Sequence, residues 1–375
     1  MSPAAQPSPA DDLSIIERWL LANAPPERLD SARGLYERMP RQRGGQLPFV
    51  DVPYDPRREE HWADAARIAD YVAHAPQDRS RHAPRVLDVG PGDGWPSLPL
   101  AAARPDAEVL GVDPSPRRAM TCRANAARLG LANARFATAD AAALPLADGS
   151  VNLVTAASSL EEAAEPEGVF AELRRVLRPG GVLRASYQNW LLPAPELESV
   201  LLWDGVDAAA RPLRLYTYVR RLQTPPLERR YTLELPAEGE AARLHQQALE
   251  AAALGRRAYG ETLLAGPSAQ ALGVGLLERL APHARRSTLV ELRRWTTEWL
   301  CEALRRAGFA EARATAHPGE LARHLGRALI AASPGAVAGE RDALEALERS
   351  FGYWTARIGE AGGRLPGVGM VAALA

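Results

Sequence analysis

Short apolar runs alternate with helix-like patterns along the middle of the chain. Between these runs, as in residues 117–129, apolar residues recur every three or four positions, which is the spacing of one helix face. Short continuous apolar runs are typical of strands buried on both faces of a parallel sheet. The pattern therefore predicts a doubly wound α/β domain with helices between parallel strands. The predicted strands are 86–89, 107–112, 134–139 and 182–187, and the segment 144–154 leads into a further strand.

The regions on either side of this alternation predict further helices and a hairpin. Residues 213–222 and 227–235 alternate apolar and polar positions around the turn-forming segment 223–226, which predicts a β-hairpin. We expect the first helix to be capped by Asp11 or Asp12. The expected helices are 11–23, 27–39, 59–74, 191–203, 239–254, 292–307 and 339–358.

A glycine-rich turn follows the first predicted strand. Gly90, Gly92 and Gly94 alternate with other residues directly after an apolar run, and such a turn lets a ligand approach the backbone closely. A dinucleotide fingerprint needs a glycine at the sixth position of the turn, where this chain has Trp95. A P-loop needs a lysine, and the chain has none.

The pattern of the turn resembles motif I of the class I S-adenosylmethionine-dependent methyltransferases. The matching residues are Asp88, Gly90, Pro91, Gly92 and Gly94. The resemblance implies a Rossmann-like, seven-stranded methyltransferase fold with S-adenosylmethionine as its cofactor. It also implies that the turn cradles the methionine portion of the cofactor and that Asp88 helps to hold the amino group, directly or through water.

Two acidic residues follow the next predicted strands, as that family requires. The resemblance gives Asp113, which precedes Pro114, the role of binding the ribose hydroxyls, because a carboxylate can accept two hydrogen bonds. The alternative is that Asp113 only caps the following helix. The resemblance places the adenine amino group at Asp140 and the adenine ring between Ala139 and Ala141.

Candidate groups for the acceptor side follow strands four and five. They are Ser158, which we also expect to contact the cofactor, with Glu161, Glu162, Tyr187 and Asn189. Many relatives carry a histidine where this chain has Glu162, so no histidine base is carried over. We name Glu161, Glu162 and Tyr187 as candidate catalytic residues and leave the catalytic base unassigned.

The resemblance continues into the turn before strand five and the end of the sheet. Residues 173–181, which end in Arg-Pro-Gly-Gly, match the family's helix end and turn. Residues 309–316 and 327–332 are expected to be strands six and seven, after the helix that Gly308 ends. The ending 367–375 is apolar enough to pair as a strand, but no place in the sheet is predicted for it.

These patterns divide the chain into five expected parts. They are a helical N-terminal extension over 1–80, an S-adenosylmethionine-binding core over 81–189, an α+β insertion over 190–290 that selects the substrate, the end of the core sheet over 291–333, and a C-terminal helix and tail over 334–375.

Several residues outside the core have a functional and a structural interpretation. Tyr54, His61 and Trp62 are possible pocket residues, although a core or surface role is favoured for each. His245 is a weak candidate base. The arginines of the predicted hairpin suggest either an anion-binding face or a solvated strand face, and we favour the second. These arginines are Arg211, Arg214, Arg220, Arg221, Arg229 and Arg230.

Composition supports a soluble, cytoplasmic enzyme. The 375 residues are about twice what one such domain needs, and the net charge of −1 argues against a nucleic-acid surface. Cys122 and Cys301 are too few for a disulfide framework and give no metal-ligand spacing. No run is long enough to span a membrane, and no secretory signal is visible.

The predicted function is methyl transfer to a small-molecule acceptor. The alternatives are a protein or RNA methyltransferase, a non-catalytic S-adenosylmethionine-binding or regulatory protein, and a nicotinamide-dependent dehydrogenase, which Trp95 disfavours. The oligomeric state is left open.

Overall fold

A computed structural model describes ten parts of the chain. They are residues 13–29, 59–75, 83–163, 165–188, 197–207, 209, 211–252, 261–315, 317–319 and 368–375. Several predictions fall outside these residues. They are the predicted elements 30–39, 191–196, 327–332 and 339–358, with Tyr54 and Asn189.

Helices and strands alternate through most of the described chain. The α-helices are α1 (Ile15–Asn23), α2 (Glu59–His74), α3 (Ser97–Ala103), α4 (Pro116–Arg128), α5 (Pro166–Val176), α6 (Gly239–Ala252), α7 (Pro267–Leu272), α8 (Val274–Leu280) and α9 (Thr297–Arg306). The strands are β1 (Glu27–Leu29), β2 (Arg85–Val89), β3 (Glu108–Asp113), β4 (Ala134–Thr138), β5 (Val151–Ala157), β6 (Leu177–Gln188), β7 (Leu197–Val206), β8 (Pro212–Leu222), β9 (Leu227–Pro236), β10 (Glu261–Leu263), β11 (Arg286–Arg293), β12 (Glu311–Thr315) and β13 (Val368–Leu374). Single 3₁₀ turns form at Leu160–Glu162 and Ala281–His283.

The chain divides into two compact units, and each combines segments that are distant in sequence. The core unit comprises residues 41–192 and 294–375, and the insertion unit comprises residues 1–40 and 193–293.

The core unit contains a sheet whose described strands number seven, in the order β12-β13-β6-β5-β2-β3-β4. Parallel pairing joins β4 to β3, β3 to β2, β2 to β5 and β5 to β6. Strand β13 alone among these seven runs in the opposite direction, because it pairs antiparallel with both β6 and β12. The predicted doubly wound, seven-stranded α/β fold is confirmed.

Helices bury both faces of this sheet. On one face, Leu87 and Val154 share an apolar cluster with Phe170 of α5 and Leu304 of α9. On the other face, Val86, Val109 and Leu153 share a cluster with Tyr71 of α2 and Leu100 of α3. Burial on both faces explains why these strands read as continuous apolar runs.

The C-terminal segment supplies a strand of the sheet whose place was not predicted. Val368–Leu374 forms β13 between β6 and β12, and the strand predicted over 327–332 lies outside the described residues. The predicted helix over 292–307 was too long, because Leu292 belongs to β11 and the helix begins at Thr297. Thr296 caps that helix by accepting a hydrogen bond from the Trp299 N–H at 3.2 Å.

The insertion unit contains a second sheet, of six described strands in the order β1-β11-β9-β8-β7-β10. The predicted hairpin is confirmed, since β8 and β9 pair antiparallel with Leu222 opposite Leu227. Tyr216, Leu233 and Leu289 on one face of this sheet share a cluster with Leu20 of α1 and Leu244 of α6.

Three helix predictions in the insertion unit were wrong in detail. Strand β7 occupies residues 197–206, where a helix over 191–203 was expected. Residues 27–29 form β1, which pairs parallel with β11, so the helix predicted over 27–39 does not begin there. The first helix is capped by Ser14, whose side chain accepts from the Glu17 N–H while the Ser14 N–H donates to Glu17, a capping box. It is therefore not capped by Asp11 or Asp12.

Within the parts that the structure describes, no helix is long and apolar enough to span a membrane. The same residues contain no group of histidine, cysteine, aspartate and glutamate side chains that could hold a metal ion.

Candidate functional site

The predicted site residues gather at one edge of the core sheet. Strands β2, β3, β5 and β6 are parallel neighbours, so their carboxyl ends lie at the same edge. The glycine turn follows β2, Asp113 ends β3, and Ser158 follows β5. In open α/β sheets, ligands bind at this edge, where the direction of the strand order reverses.

The glycine turn is held by backbone and hydroxyl hydrogen bonds. The Gly90 N–H donates to the Val112 carbonyl at 2.8 Å, and the Gly94 N–H donates to the Pro91 carbonyl at 2.8 Å. The Ser159 hydroxyl donates to the Val89 carbonyl at 2.5 Å. The turn is therefore tied to β3 and to the loop after β5.

The three glycines of the turn have different reasons to be glycine. All have positive φ: +72° at Gly90, +58° at Gly92 and +124° at Gly94. A Cβ at Gly90 would strike Ser159, and one at Gly94 would strike Leu98, whereas one at Gly92 would meet no atom within 4 Å. Gly92 thus opens onto free space, as expected for a surface that receives a ligand.

Asp88 lies beneath the turn and is fully buried. One carboxylate oxygen accepts from the Ser97 N–H at 3.1 Å and the Ser97 hydroxyl at 2.5 Å, and the other accepts from the Thr155 hydroxyl at 3.0 Å. Burial raises the pKa of Asp88 to about 7, against these hydrogen bonds, which lower it. This position gives Asp88 a role in supporting the turn and leaves none of its surface open for direct contact with a ligand.

Asp113 stands at the end of β3 with its carboxylate aimed at the turn. One carboxylate oxygen accepts from the Ser115 N–H at 2.9 Å, and the Gly92 N–H also donates to the carboxylate. Burial raises the pKa of Asp113, while these hydrogen bonds and the positive charge of Arg118 oppose the rise. The cap of α4 is Ser115, which accepts from the Arg118 N–H, so Asp113 does not cap this helix.

Asp140 and its neighbours follow β4 at the same edge. The Ala139 N–H donates to the Asp113 carbonyl at 3.2 Å, which ties this segment to β3. Asp140 is exposed and accepts from the Ala142 N–H at 2.9 Å. Ala139 and Ala141 are half-buried at the edge of the apolar core, and Pro114 is half-buried as well.

The segment after β5 carries the acidic candidates. Ser158 is exposed and has a positive φ of +54°, the only such value outside glycine among the described residues. The Arg294 guanidinium, which is 2% exposed, donates to the Glu161 carbonyl at 3.2 Å and pairs with the Glu162 carboxylate at 3.5 Å. A buried arginine therefore fixes this acidic turn.

Tyr187 and His245 lie inside the protein. The Tyr187 hydroxyl hydrogen-bonds to the Thr297 hydroxyl at 2.7 Å, and Tyr187 is 1% exposed. His245 is fully buried, with Nε2 at 3.1 Å from the Leu215 carbonyl, and burial lowers its pKa. Of the pocket candidates on α2, the side chains of His61 and Trp62 lie outside the described set.

The arginines of the hairpin form ion pairs. They pair Arg211 with Asp207, Arg214 with Asp204, Arg220 with Glu198, Arg221 and Arg230 with Glu228, and Arg229 with Glu17. Four of them are at most 19% exposed, so the favoured interpretation as a solvated strand face is wrong for most of the set. These pairs do not support the anion-binding face either, because each arginine already contacts a carboxylate.

The structure also brings in residues that the sequence did not single out. Ser97 and Thr155 hold Asp88, and Ser159 packs on Gly90. Arg118 of α4 contacts Asp93 in the turn. No motif marks these residues, since their positions depend on which helix and strand pack beside the turn.

Comparison with known proteins agrees with this geometry. Residues 87–185 match the model of a family described as a methyltransferase domain. A demethylmenaquinone methyltransferase from Thermus thermophilus is 42% identical over 99 residues, which cover 26% of this chain and 44% of the relative. An uncharacterized methyltransferase from Mycobacterium avium is 35% identical over 153 residues, which cover 40% of this chain and 58% of the relative.

A third relative and one solved structure extend the comparison. An arsenite methyltransferase from Halobacterium salinarum is 38% identical over 113 residues, covering 30% of this chain and 29% of the relative. The solved CcbJ methyltransferase from Streptomyces caelestis aligns at 17% identity with a TM-score of 0.42, covering 76% of this chain and 88% of that one. The chain spans about half the length of the first curated relatives it matches.

The matched segment runs from β2 into β6 and contains the glycine turn, Asp113 and Asp140. The sequence match therefore covers the five parallel strands β2 to β6 of the sheet, except for the ends of β2 and β6. Residues 87–185 therefore form a methyltransferase domain, and the family match and the strand order are consistent with the class I S-adenosylmethionine-dependent methyltransferases.

Proposed function

We propose that this protein transfers a methyl group from S-adenosylmethionine to a small-molecule acceptor. The observation that carries the proposal is the open space at Gly92, beside the carboxylate of Asp113 at the same sheet edge. A bulky ligand can approach the backbone at Gly92, and a carboxylate beside it can accept hydrogen bonds from two hydroxyls. This combination fits a ribose-containing cofactor.

The remaining residues of the edge fit the other parts of the cofactor. The turn from Gly90 to Gly94 would hold the methionine portion, and Asp140 would face the adenine amino group between Ala139 and Ala141. The half-burial of both alanines supports an apolar surface for the ring. When bound, S-adenosylmethionine supplies an electrophilic methyl carbon on its sulfonium.

The protein's part in the chemistry is then mainly positioning. Holding both reactants in line can lower a barrier by about 7–11 kcal/mol. Glu161 and Glu162 are fixed by Arg294, and Tyr187 bonds to Thr297 within the core. These contacts favour roles in shaping the acceptor side over proton removal, and they suit an acceptor that is nucleophilic without a strong base.

A small-molecule acceptor is supported by charge and by the relatives. The net charge of −1 does not favour a nucleic-acid surface. Two of the similar proteins are named for demethylmenaquinone and for arsenite, both small molecules. We infer that the insertion unit selects the acceptor, since the family needs only a short link after β6 and this chain has a second unit there.

Two alternative functions can be distinguished from the proposed one by experiment. A protein or RNA methyltransferase would share the cofactor site and differ only in the acceptor. A regulatory protein would bind the cofactor without turnover. The test is calorimetric titration with S-adenosylhomocysteine, followed by transfer of a labelled methyl group to pools of small molecules, proteins and RNA.

The decisive variant is Asp113→Ala, with Asp148→Ala as the matched control. Asp148 is a highly exposed carboxylate of the same unit. Micromolar binding by the parent and by Asp148→Ala, with marked loss in Asp113→Ala, would support the cofactor site. No binding by a folded parent would overturn the proposal, and binding without label transfer to any pool would favour the regulatory alternative.

A further inference from the structure

Three side chains from one face of α4 hold the tip of the glycine turn. The Cys122 thiol donates to the Gly92 carbonyl at 3.2 Å, and the Asn125 amide donates to the Asp93 carbonyl at 3.0 Å. The Arg118 guanidinium pairs with the Asp93 carboxylate. Residues 118, 122 and 125 are spaced by four and three positions, so they share one helix face.

Arg118 differs from the other two because it brings a charge. Its side chain is 12% exposed and that of Asp93 is 10% exposed, so the pair is poorly screened by water. Arg118 is also close enough to Asp113 to act on its charge. Arg118 therefore pairs with the Asp93 carboxylate in the turn, and its charge also acts on the Asp113 carboxylate at the end of β3.

We propose that Arg118 is a positioning residue for the cofactor, which holds the Asp93 side chain at the tip of the turn and whose positive charge favours the ionised Asp113 carboxylate that would receive the ribose hydroxyls. This inference rests on the proposed function. An ionised Asp113 can accept from both hydroxyls, whereas a protonated one has a donor at one of these positions. Affinity for the cofactor should therefore fall as the pH falls through the pKa of Asp113.

The charged and titratable groups around Asp113 determine how variants move this pH dependence. They are Asp88 from β2, Asp93 from the turn, and Arg118 and Cys122 from α4. Among these groups, Arg118 lowers the pKa of Asp113 and Asp93 raises it. Removing the charge of Arg118 should therefore move the midpoint of the affinity loss to higher pH. Removing the charge of Asp93 should move it to lower pH.

The experiment is calorimetric titration with S-adenosylhomocysteine from pH 5 to pH 8, on the parent and three variants whose folding is checked by circular dichroism. In Arg118→Gln, the loss of affinity on acidification should begin at higher pH, with affinity about tenfold below the parent's at the acid end. In Asp93→Asn, the loss should begin at lower pH than in the parent. In Asn125→Ala, affinity should fall at every pH, with an unchanged midpoint.

The opposite shifts distinguish an electrostatic role from a simple clamp. If Arg118→Gln and Asp93→Asn weaken binding equally at every pH, Arg118 acts only as a clamp and the proposal is overturned. If Arg118→Gln does not fold, Arg118→Met, which keeps an apolar stem without the charge, takes its place, and an unchanged midpoint in that variant overturns the proposal. No binding by the parent would instead overturn the proposed function, and this inference with it.

Discussion

The backbone of Gly90 touches the side chain of Ser159, so closely that a Cβ on Gly90 would lie 2.5 Å from the Ser159 Cβ. The Ser159 hydroxyl in turn donates to the Val89 carbonyl, one residue before the glycine. The glycine turn after β2 and the loop after β5 are therefore fitted to each other. Movement of either one has to displace the other, which links the methionine end of the proposed site to the acidic turn at Leu160–Glu162.

This contact predicts that two glycine substitutions in the same turn act differently. Gly90→Ala adds a clash to an unfavourable φ and should lower the free energy of unfolding by about 3 kcal/mol. Gly92→Ala meets no atom and should cost only about 1 kcal/mol for its φ of +58°. Its new methyl group points into open space, so Gly92→Ala should nevertheless abolish binding of S-adenosylhomocysteine.

Urea denaturation and calorimetry on both variants provide the measurements. Gly168→Ala is the matched control, since Gly168 lies in α5 with no atom within 4 Å of an added Cβ and a φ outside the positive region. Normal cofactor affinity in Gly92→Ala would show that the ligand does not approach the turn there.

Much of the core could be predicted from the sequence because its signals are local. The glycine turn, the acidic ends of β3 and β4, and the hairpin of β8 and β9 all depend on residues adjacent in the chain. Their geometry is set by φ preferences, by strand burial and by alternation of side chains.

The elements that were predicted wrongly or had no predicted place depend on partners that are distant in sequence. Strand β13 pairs with β6 through Val371 opposite Ala185, and β1 pairs with β11 through Leu29 opposite Val290. A segment of three residues such as β1 has no periodicity of its own, so the apolar spacing of its neighbours predicted a helix instead. The apolar run of β7 was misread for a related reason, since short apolar runs suit a strand or a buried helix equally.

The hydrogen bonds that support the site could not be predicted from the sequence either. Asp88 was recognised from the motif, but the sequence does not reveal that Ser97 and Thr155 fill its hydrogen-bonding capacity. A serine nine residues after an aspartate has no special meaning until α3 packs against β2. The role of Asp88 as a buried support therefore becomes visible only in three dimensions.

The buried position of Asp88 predicts a pH-dependent stability. Its pKa is about 7 in the folded protein against 3.8 as the ordinary value, so the folded state holds this proton more tightly. A carboxyl group whose pKa is raised by folding stabilises the folded state fully below pH 4. This stabilisation is lost as the pH rises towards 7. At about 1.4 kcal/mol per pKa unit, the stabilisation lost over this range is about 4 kcal/mol. Asp88→Asn should remove this part of the pH dependence.

Urea denaturation between pH 4 and pH 8 measures this effect on the parent and on Asp88→Asn. Asp148→Asn, which changes an exposed carboxylate, should keep the parent's pH profile. An identical slope in the parent and in Asp88→Asn would show that another group titrates in this range.

A second buried carboxylate, Glu17, anchors α1 to the sheet of the insertion unit. Glu17 is fully buried and accepts from the Ser14 N–H at 2.8 Å and from Tyr231 at 3.2 Å, with the Arg229 guanidinium at 3.3 Å. Removing one partner of a buried ion pair leaves the other charge uncompensated and costs about 3–5 kcal/mol. Glu17→Ala should destabilise the insertion unit by that amount, and Glu17→Gln by less, because it keeps the capping hydrogen bonds.

The control for this prediction is Glu27→Gln, which changes an exposed glutamate that pairs with Arg286. Its unfolding free energy should stay within about 0.5 kcal/mol of the parent's. Thermal and urea unfolding compare the three variants, and equal stability of Glu17→Ala and Glu27→Gln would show that α1 is not anchored through Glu17.

Ser158 holds a backbone conformation that glycine adopts more readily. Its φ of +54° lies in the left-handed region, which costs a residue with a side chain about 1–2 kcal/mol. Ser158→Gly removes this strain, but glycine makes the unfolded chain more flexible, which costs the folded state about 0.4–1 kcal/mol. The stability of this variant should therefore match or slightly exceed the parent's. Ser158→Val places a β-branched residue at positive φ and should be about 2 kcal/mol less stable than Ser158→Gly.

Measuring both variants by urea denaturation and by binding of S-adenosylhomocysteine separates strain from contact. Ser158 is exposed and lies next to Ser159, the residue that packs on Gly90. If the conformation matters because it aims this loop at the turn, Ser158→Gly should bind as the parent does and Ser158→Val should bind more weakly. Equal stability of the glycine and valine variants would mean that the loop relaxes freely, and the fit between Gly90 and Ser159 would then not depend on Ser158.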